Sequence, residues 1–389
     1  MKTILLVSEL GEGLGHVAPL LIIANAIQAK AADPLRLVFA VKDAIGARSA
    51  FKDSGFPFLP APTVKTSAFS ISNTASYIEI LGHIGFTRQN VLDSAVATWD
   101  NLYELVSPDL IIAEHSPTAC LAARGRYPTL QVGSGYTMPP AQSAEFPALK
   151  AGMAVPPVHA LILDHVNRVL KTRKVNRLEH LPQMLASEQR AVFTIPQFDP
   201  YHGLRKEAVL GTYNEKISFA ALPERPHIFL YAGAVAEQLD TMAQAVADTG
   251  VTVSAYLGSQ ETPAKHYLKS MGARVHDTPP HLCDVLAEAS IVVSHGGAGL
   301  STAATLMGRP QVVLPIHNES LLTAGRVEHY GLGLVIEKGD ENNLPAALDA
   351  VLNVRRFAET AQETGQALAA SGLPGDPVDQ VAGVALAML

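Results

Sequence analysis

The sequence predicts an α/β protein built from two doubly wound domains that face one another across a cleft. Short, continuously apolar strand candidates alternate with longer helical patterns nearly throughout the chain. That alternation implies parallel sheets covered on both faces. The alternation runs once through the first half and starts again in the second. The length of 389 residues exceeds what one hydrophobic core usually supports.

In the first half the strands are "TILLV" (3–7), "LRLVFAV" (35–41), "DLIIAE" (109–114) and "TLQVG" (129–133). Helix-like stretches such as "APLLIIANAIQAK" and "SPTACLAARGR" follow them. The second half offers "HIFLYAG" (227–233), "VTVSAYLG" (251–258), "SIVVSHGG" (290–297) and "QVVLP" (311–315). The stretch 201–226 has little periodicity and ends in prolines. These readings give a first domain over 1–212, a linker over 213–225 and a second domain over 226–375. A terminal helix follows over 376–389, after a Gly/Pro turn. In doubly wound sheets ligands bind outside the carboxyl ends of the strands, so the cleft is the expected site.

Composition narrows the function. Apolar residues make up 48% of the chain and charged residues 17%, which fits a well-buried globular protein. No apolar run reaches the roughly 18 to 20 residues that span a bilayer, and the start lacks a signal-peptide pattern. The expectation is a cytoplasmic protein. Net charge is −7, which argues against nucleic acid as the main partner. The two cysteines, Cys120 and Cys283, have no metal or disulfide spacing and read as small buried hydrophobes. The basic run "RVLKTRKVNR" (168–177) reads as a solvated helix face, with weak peripheral contact to anionic lipid or an acidic substrate as the alternative.

The first strand runs into "GEGLGHVAPLL". A dinucleotide fingerprint needs G-x-G-x-x-G, but the third glycine position holds His16. That departure argues against a nicotinamide or flavin cofactor. An imidazole at the carboxyl edge of a strand suits a general base, whereas its plain structural role would be to cap the helix. Pro19 reads as fixing the first helical turn. Glu114 closes another predicted strand at the same edge and could orient His16; its plain role would be a charge at the next helix N-terminus. His115 is a weaker rival for the base.

The second glycine loop is more specific. A strand ends at Ser294 and "HGGAG" (295–299) turns into a helix opened by "LSTAA". His295, Gly296, Gly297, Ala298 and Gly299 would let a diphosphate approach the helix N-terminus, with Ser301 and Thr302 polar in its first turn. No cluster of metal-ligand type accompanies it.

The stretch "HGGAGLSTAATLMGRPQVVLPIHNESLLTAGRVEHYGLGLVI" (295–336) resembles the donor-binding segment of inverting family 1 glycosyltransferases, in particular their bacterial natural-product and sterol branch. "GHVAPLL" and the stretch 108–140 are similar to the same branch. The resemblance implies the GT-B arrangement of two Rossmann-like domains. Acceptors would bind mainly to the first domain and a nucleoside diphosphate sugar, UDP- or dTDP-linked, to the second, with no cofactor and no metal. By position it implies His16 as base, Glu114 where the family usually has an aspartate, and 295–299 as the diphosphate loop. Gly233 would lie near the phosphates, His281 in the loop packing on the nucleotide base, and Glu319 with Ser320 on the sugar hydroxyls. The resemblance also implies that the terminal helix returns to the first domain.

This chain departs from the pattern where Glu319-Ser320 replaces Asp-Gln, where Ala303 replaces a ribose-binding glutamate, and where the base-stacking tryptophan is absent. Two alternatives stay open: a nucleotide-sugar epimerase of the same architecture, and a non-catalytic partner subunit. An acceptor pocket is expected from 67–86 and 136–153, lined by Phe69, Tyr77, His83, Phe86, Tyr136, Met138 and Phe146. For each of these an anchoring core role is the plain alternative.

Overall fold

In a computed structural model the chain forms two units. The structure describes residues 1–11, 14–45, 47–64, 74–149, 152–213, 217–233, 236–373 and 375–389. The first unit comprises Met1–Phe193, Asp199–Val209 and Asp376–Leu389; the second comprises Thr194–Phe198 and Leu210–Gly375.

The first unit contains β1 (Lys2–Ser8), α1 (Leu14–Lys30), β2 (Leu35–Val41), α2 (Arg48–Ser54), β3 (Phe58–Pro60), α3 (Tyr77–His83) and α4 (Gln89–Val106). It continues with β4 (Leu110–Glu114), α5 (Pro117–Ala123), β5 (Thr129–Ser134), α6 (His159–Thr172) and β6 (Gln189–Phe193). The strands form one parallel sheet in the order β3-β2-β1-β4-β5-β6. Strand order therefore reverses between β1 and β4, and a ligand crevice opens at such a switch point. Ile4–Val7 and Leu110–Ile112 are fully buried, as central strands covered on both faces require.

The second unit contains β7 (His227–Tyr231), α7 (Ala236–Asp248), β8 (Thr252–Tyr256), α8 (Pro263–Ser270), β9 (Arg274–His276), α9 (Leu282–Glu288), β10 (Ile291–Ser294) and α10 (Ala298–Met307). Next come β11 (Gln311–Val313), α11 (Asn318–His329), β12 (Gly333–Val335), α12 (Leu344–Asn353) and α13 (Arg355–Ala370). Its order, β12-β11-β10-β7-β8-β9, is the same doubly wound pattern, with the switch between β7 and β10. The last helix, α14 (Pro377–Ala387), falls in the first unit and packs on α1. Lys30 pairs with Asp379 there. That cover helps to explain why α1 is apolar over most of its surface, with Gly15, Asn25, Gln28, Ala29 and Lys30 as its exposed residues among those described.

The strands absent from the sequence reading are β3, β6, β9 and β12. Three of them have only three residues, and all four lie at sheet edges, where one side is open and apolar patterning weakens. Helix α1 also begins earlier than read. Pro19 falls in its second turn rather than its first, and lacking an N–H it cannot bond the carbonyl of residue 15. In the basic run, Arg173 forms a two-pronged pair with Asp100 and Arg168 pairs with Asp164. Among the described residues no helix is long and apolar enough to cross a membrane.

Candidate active site

The carboxyl ends of β1 and β4 bring the first set of residues together. The two strands pair in register with Ser8 opposite Glu114. His16, in the first turn of α1, sits with Nδ1 2.9 Å from Glu114 Oε2. A carboxylate only accepts, so Nδ1 carries the ring proton and Nε2 is left with a lone pair, the form a general base needs. The Ser8 hydroxyl lies 3.2 Å from the same carboxylate oxygen and helps to fix it. Glu114 is almost wholly buried and His16 is partly open to solvent.

Gly11 explains part of the glycine loop in steric terms. It adopts φ 87°, and a β-carbon there would overlap Cδ2 and Nε2 of the His16 ring. Its missing side chain is the space the imidazole occupies; Gly13 lies outside the described residues. Gly11→Ala is therefore expected to push the ring off Glu114 and lower kcat by roughly 10²-fold or more, the scale of a misplaced catalytic group. Turnover kinetics of the variant check this.

Glu9 was not foreseen as part of the site. Its carboxylate is buried and accepts the N–H groups of Thr118 at 2.8 Å and Ala119 at 3.3 Å, at the start of α5. The role of a charge at this helix N-terminus therefore falls to Glu9 rather than Glu114. Burial pushes its pKa up to about 7, against the lowering effect of those hydrogen bonds. The Ser116 hydroxyl accepts the Glu9 N–H at 2.8 Å and donates to the Glu114 carbonyl at 2.7 Å. This bridge closes a tight turn over residues 114–116 and leaves His115 at φ 41°.

The second set lies at the switch point of the second unit. Gly233 follows β7, and residues 295–297 link β10 to α10. Gly296 adopts φ 73°, and a β-carbon there would come within 2.6 Å of Val313 Cγ1 and 3.2 Å of the Ser320 carbonyl. Only glycine fits. Gly297 caps α10 and is open to solvent, so the first-turn amides after it have no intrahelical partner. The Tyr213 hydroxyl would lie 2.6 Å from a β-carbon on Gly299, so that glycine also serves a close approach. His295 Nδ1 donates to the Leu314 carbonyl at 3.2 Å. Its pKa falls below the ordinary value, first through burial, with the Leu314 carbonyl opposing and His317 adding to the fall.

Known proteins share this organisation. Residues 270–384 match the family described as erythromycin biosynthesis protein CIII-like, C-terminal domain. L-demethylnoviosyl transferase of Streptomyces niveus is 26% identical over 297 residues, covering 71% of this chain and 73% of that protein. The UDP-glucosyltransferase YojK of Bacillus subtilis, itself uncharacterized, is 36% identical over 91 residues, which span only 22% of its length. The solved calicheamicin glycosyltransferase CalG4 shares the fold with a TM-score of 0.68 at 20% identity, covering 98% of both chains. The spinosyn rhamnosyltransferase SpnG, solved with thymidine diphosphate, does so with a TM-score of 0.64 at 16% identity, covering 99% of this chain and 100% of its own. The chain is similar in sequence to natural-product glycosyltransferases and shares their fold.

Several residues expected at the site have local duties here. The Ser320 hydroxyl accepts the N–H groups of Ile316 at 2.9 Å and His317 at 3.0 Å, and donates to the His317 carbonyl at 2.8 Å. It is fully buried and stabilises the start of α11, while Glu319 beside it is half-buried. Ser301 is also fully buried. His281 is exposed at the start of α9.

Of the acceptor candidates, Tyr77, Phe86 and Phe146 lie in the first unit's hydrophobic core, and Met138 is equally buried. Phe146 packs on Tyr77, and its N–H donates to His159 Nε2. These side chains present almost no surface in this structure, as their anchoring alternative describes. His83 and Tyr136 are half-buried, and Phe69 lies outside the described residues. Cys120 is a buried thiol, pushed up to about 12 by burial, and is unreactive at neutral pH.

Proposed function

We propose that the chain is an inverting glycosyltransferase, transferring a sugar from a UDP- or dTDP-linked donor to a hydroxyl of a small natural-product or lipid-like acceptor. The observation that carries this reading is the 2.9 Å contact between His16 Nδ1 and Glu114 at the switch point of the first sheet. His16 Nε2 takes the proton of the acceptor hydroxyl. The oxygen attacks the anomeric carbon from the side opposite the diphosphate, the bond to the diphosphate oxygen breaks, and the nucleoside diphosphate leaves. Glu114 stabilises the imidazolium that results. The first-turn amides of α10, with Gly297 open to solvent and Gly233 half-buried, meet the charge that develops on the leaving group, and Gly296 lets the loop fold tightly beneath them. Glu319 is the group assigned to the sugar hydroxyls, and His281 to the nucleotide base.

The anomeric configuration of the product tests the reading. α-Linked UDP-glucose and dTDP-glucose are incubated with hydroxylated aromatic acceptors, and the sugar coupling constant is read by NMR. A β-glucoside is expected. An α-glucoside overturns single displacement, and conversion of the donor without acceptor points to an epimerase.

His295 adds a pH dependence. With its Nδ1–H committed to Leu314, a neutral His295 offers a phosphate only a lone pair. A bound diphosphate is expected to raise its pKa and draw a proton onto Nε2. Binding of dTDP should therefore take up a proton and weaken as pH rises between the lowered pKa of the free protein and the raised one of the complex. Calorimetry in buffers of different ionisation enthalpy measures the uptake, and His295→Gln should abolish it.

A further inference from the structure

His115 has no part in the proton transfer above, yet its position is costly. It is a non-glycine residue at φ 41°, and left-handed backbone costs about 1 kcal/mol outside glycine. Both ring nitrogens are buried and have no hydrogen-bond partner among the described residues. Unpaired buried polar groups are rare because each forfeits its hydration. Burial holds the imidazole well below its usual pKa, with the nearby His16 and Lys42 lowering it further. It is thus a neutral ring with one donor and one acceptor to offer. Its centroid lies 5.8 Å from that of His16, 6.0 Å from Tyr77 and 6.3 Å from Tyr136. It also borders a cavity of about 10 Å³ shared with Gln131, Thr137 and Met138. That volume suits one oxygen atom and little more.

Resting on the glycosyl-transfer reading, we propose that His115 is a specificity-determining residue that hydrogen-bonds a second oxygen of the acceptor while His16 deprotonates the first. The preferred acceptor then carries two oxygens on adjacent or next-but-one carbons, as in an aromatic diol or a hydroxy-ketone. The turn over 114–116 supports the assignment. The Ser116 bridge that orders Glu114 for His16 is the same constraint that sets His115 in its left-handed conformation, so base and anchor share one rigid support.

The probes are 2,3-dihydroxynaphthalene, 1,3-dihydroxynaphthalene and 2-naphthol, with dTDP-glucose or UDP-glucose as donor. The native protein should favour a diol over 2-naphthol in kcat/KM by roughly ten- to a hundredfold, the scale for a lost hydrogen bond to a buried polar group. His115→Gly suits φ 41° and should leave Tm unchanged or higher, with donor KM unchanged, while the preference collapses. His115→Asn tolerates the same backbone and keeps an amide, so it should retain part of the preference. The proposal is overturned if the native protein shows no preference, if His115→Gly keeps it, or if no probe is accepted while donor binds; the ring would then serve a water molecule only. Failure to bind any donor overturns the transferase reading itself.

Discussion

Replacing His16 with alanine is expected to lower kcat by roughly 10³-fold, within the range ascribed to a positioned general base. That loss corresponds to about 4 kcal/mol of transition-state stabilisation. The affinity for dTDP should stay the same, because the loop assigned to the diphosphate belongs to the second unit. Glu114→Gln should be nearly as damaging for a different reason. An amide NH₂ facing Nδ1 turns that nitrogen into the acceptor, so Nε2 carries the proton and can no longer take one. The Ser8 hydroxyl that now meets Glu114 can serve the amide as well, so this variant keeps its fold and isolates the tautomer. Single-turnover rates with saturating donor check both variants. Transfer by His16→Ala within about threefold of the native rate sinks the assignment, given the range cited for such bases.

The central strands were readable because β1, β4, β7 and β10 are buried on both faces and therefore continuously apolar. The pairing of His16 with Glu114 was readable for a related reason. His16 and Glu114 both belong to the carboxyl ends of such strands, and the structure pairs those strands as neighbours. What escaped the sequence depends on the folded environment. Glu9 directly follows β1 and carries no motif; its partners, Thr118 and Ala119, lie more than a hundred residues away. Gly11 looked like part of an incomplete fingerprint, whereas the space it leaves is filled by the His16 ring. Tyr77, Phe86 and Phe146 lie in a segment of irregular pattern, where composition does not separate a pocket wall from a core anchor. Ser320 stands where a sugar-binding amide was expected, and the shorter side chain instead folds back on its own helix start.

Glu9 also sets the largest stability effect expected of a single substitution. Its folded pKa is raised to about 7 from an ordinary 4.5, with burial as the main cause. A raised carboxyl pKa means that between these two values the folded state holds more protons than the unfolded chain. Stability is then fully present below about pH 4.5 and declines as pH rises through about 7. A shift of this size, at 1.36 kcal/mol per unit, makes the decline about 3 kcal/mol. Glu9→Gln cannot ionise and should not show it, while its side-chain oxygen still accepts the Thr118 and Ala119 N–H groups. Its NH₂, which lies beside the Thr118 side chain, changes stability by the same amount at every pH, so the informative quantity is the change in the gap between variant and native protein. Tyr77, Tyr103 and Cys120, which feel the Glu9 charge, are all raised by burial and stay neutral over the same range. Urea unfolding at pH 5 and pH 8.5 should therefore show the Glu9→Gln variant gaining about 2 to 3 kcal/mol on the native chain at the higher pH. A gap that does not change with pH would mean that Glu9 is ionised throughout, held by the α5 amides alone.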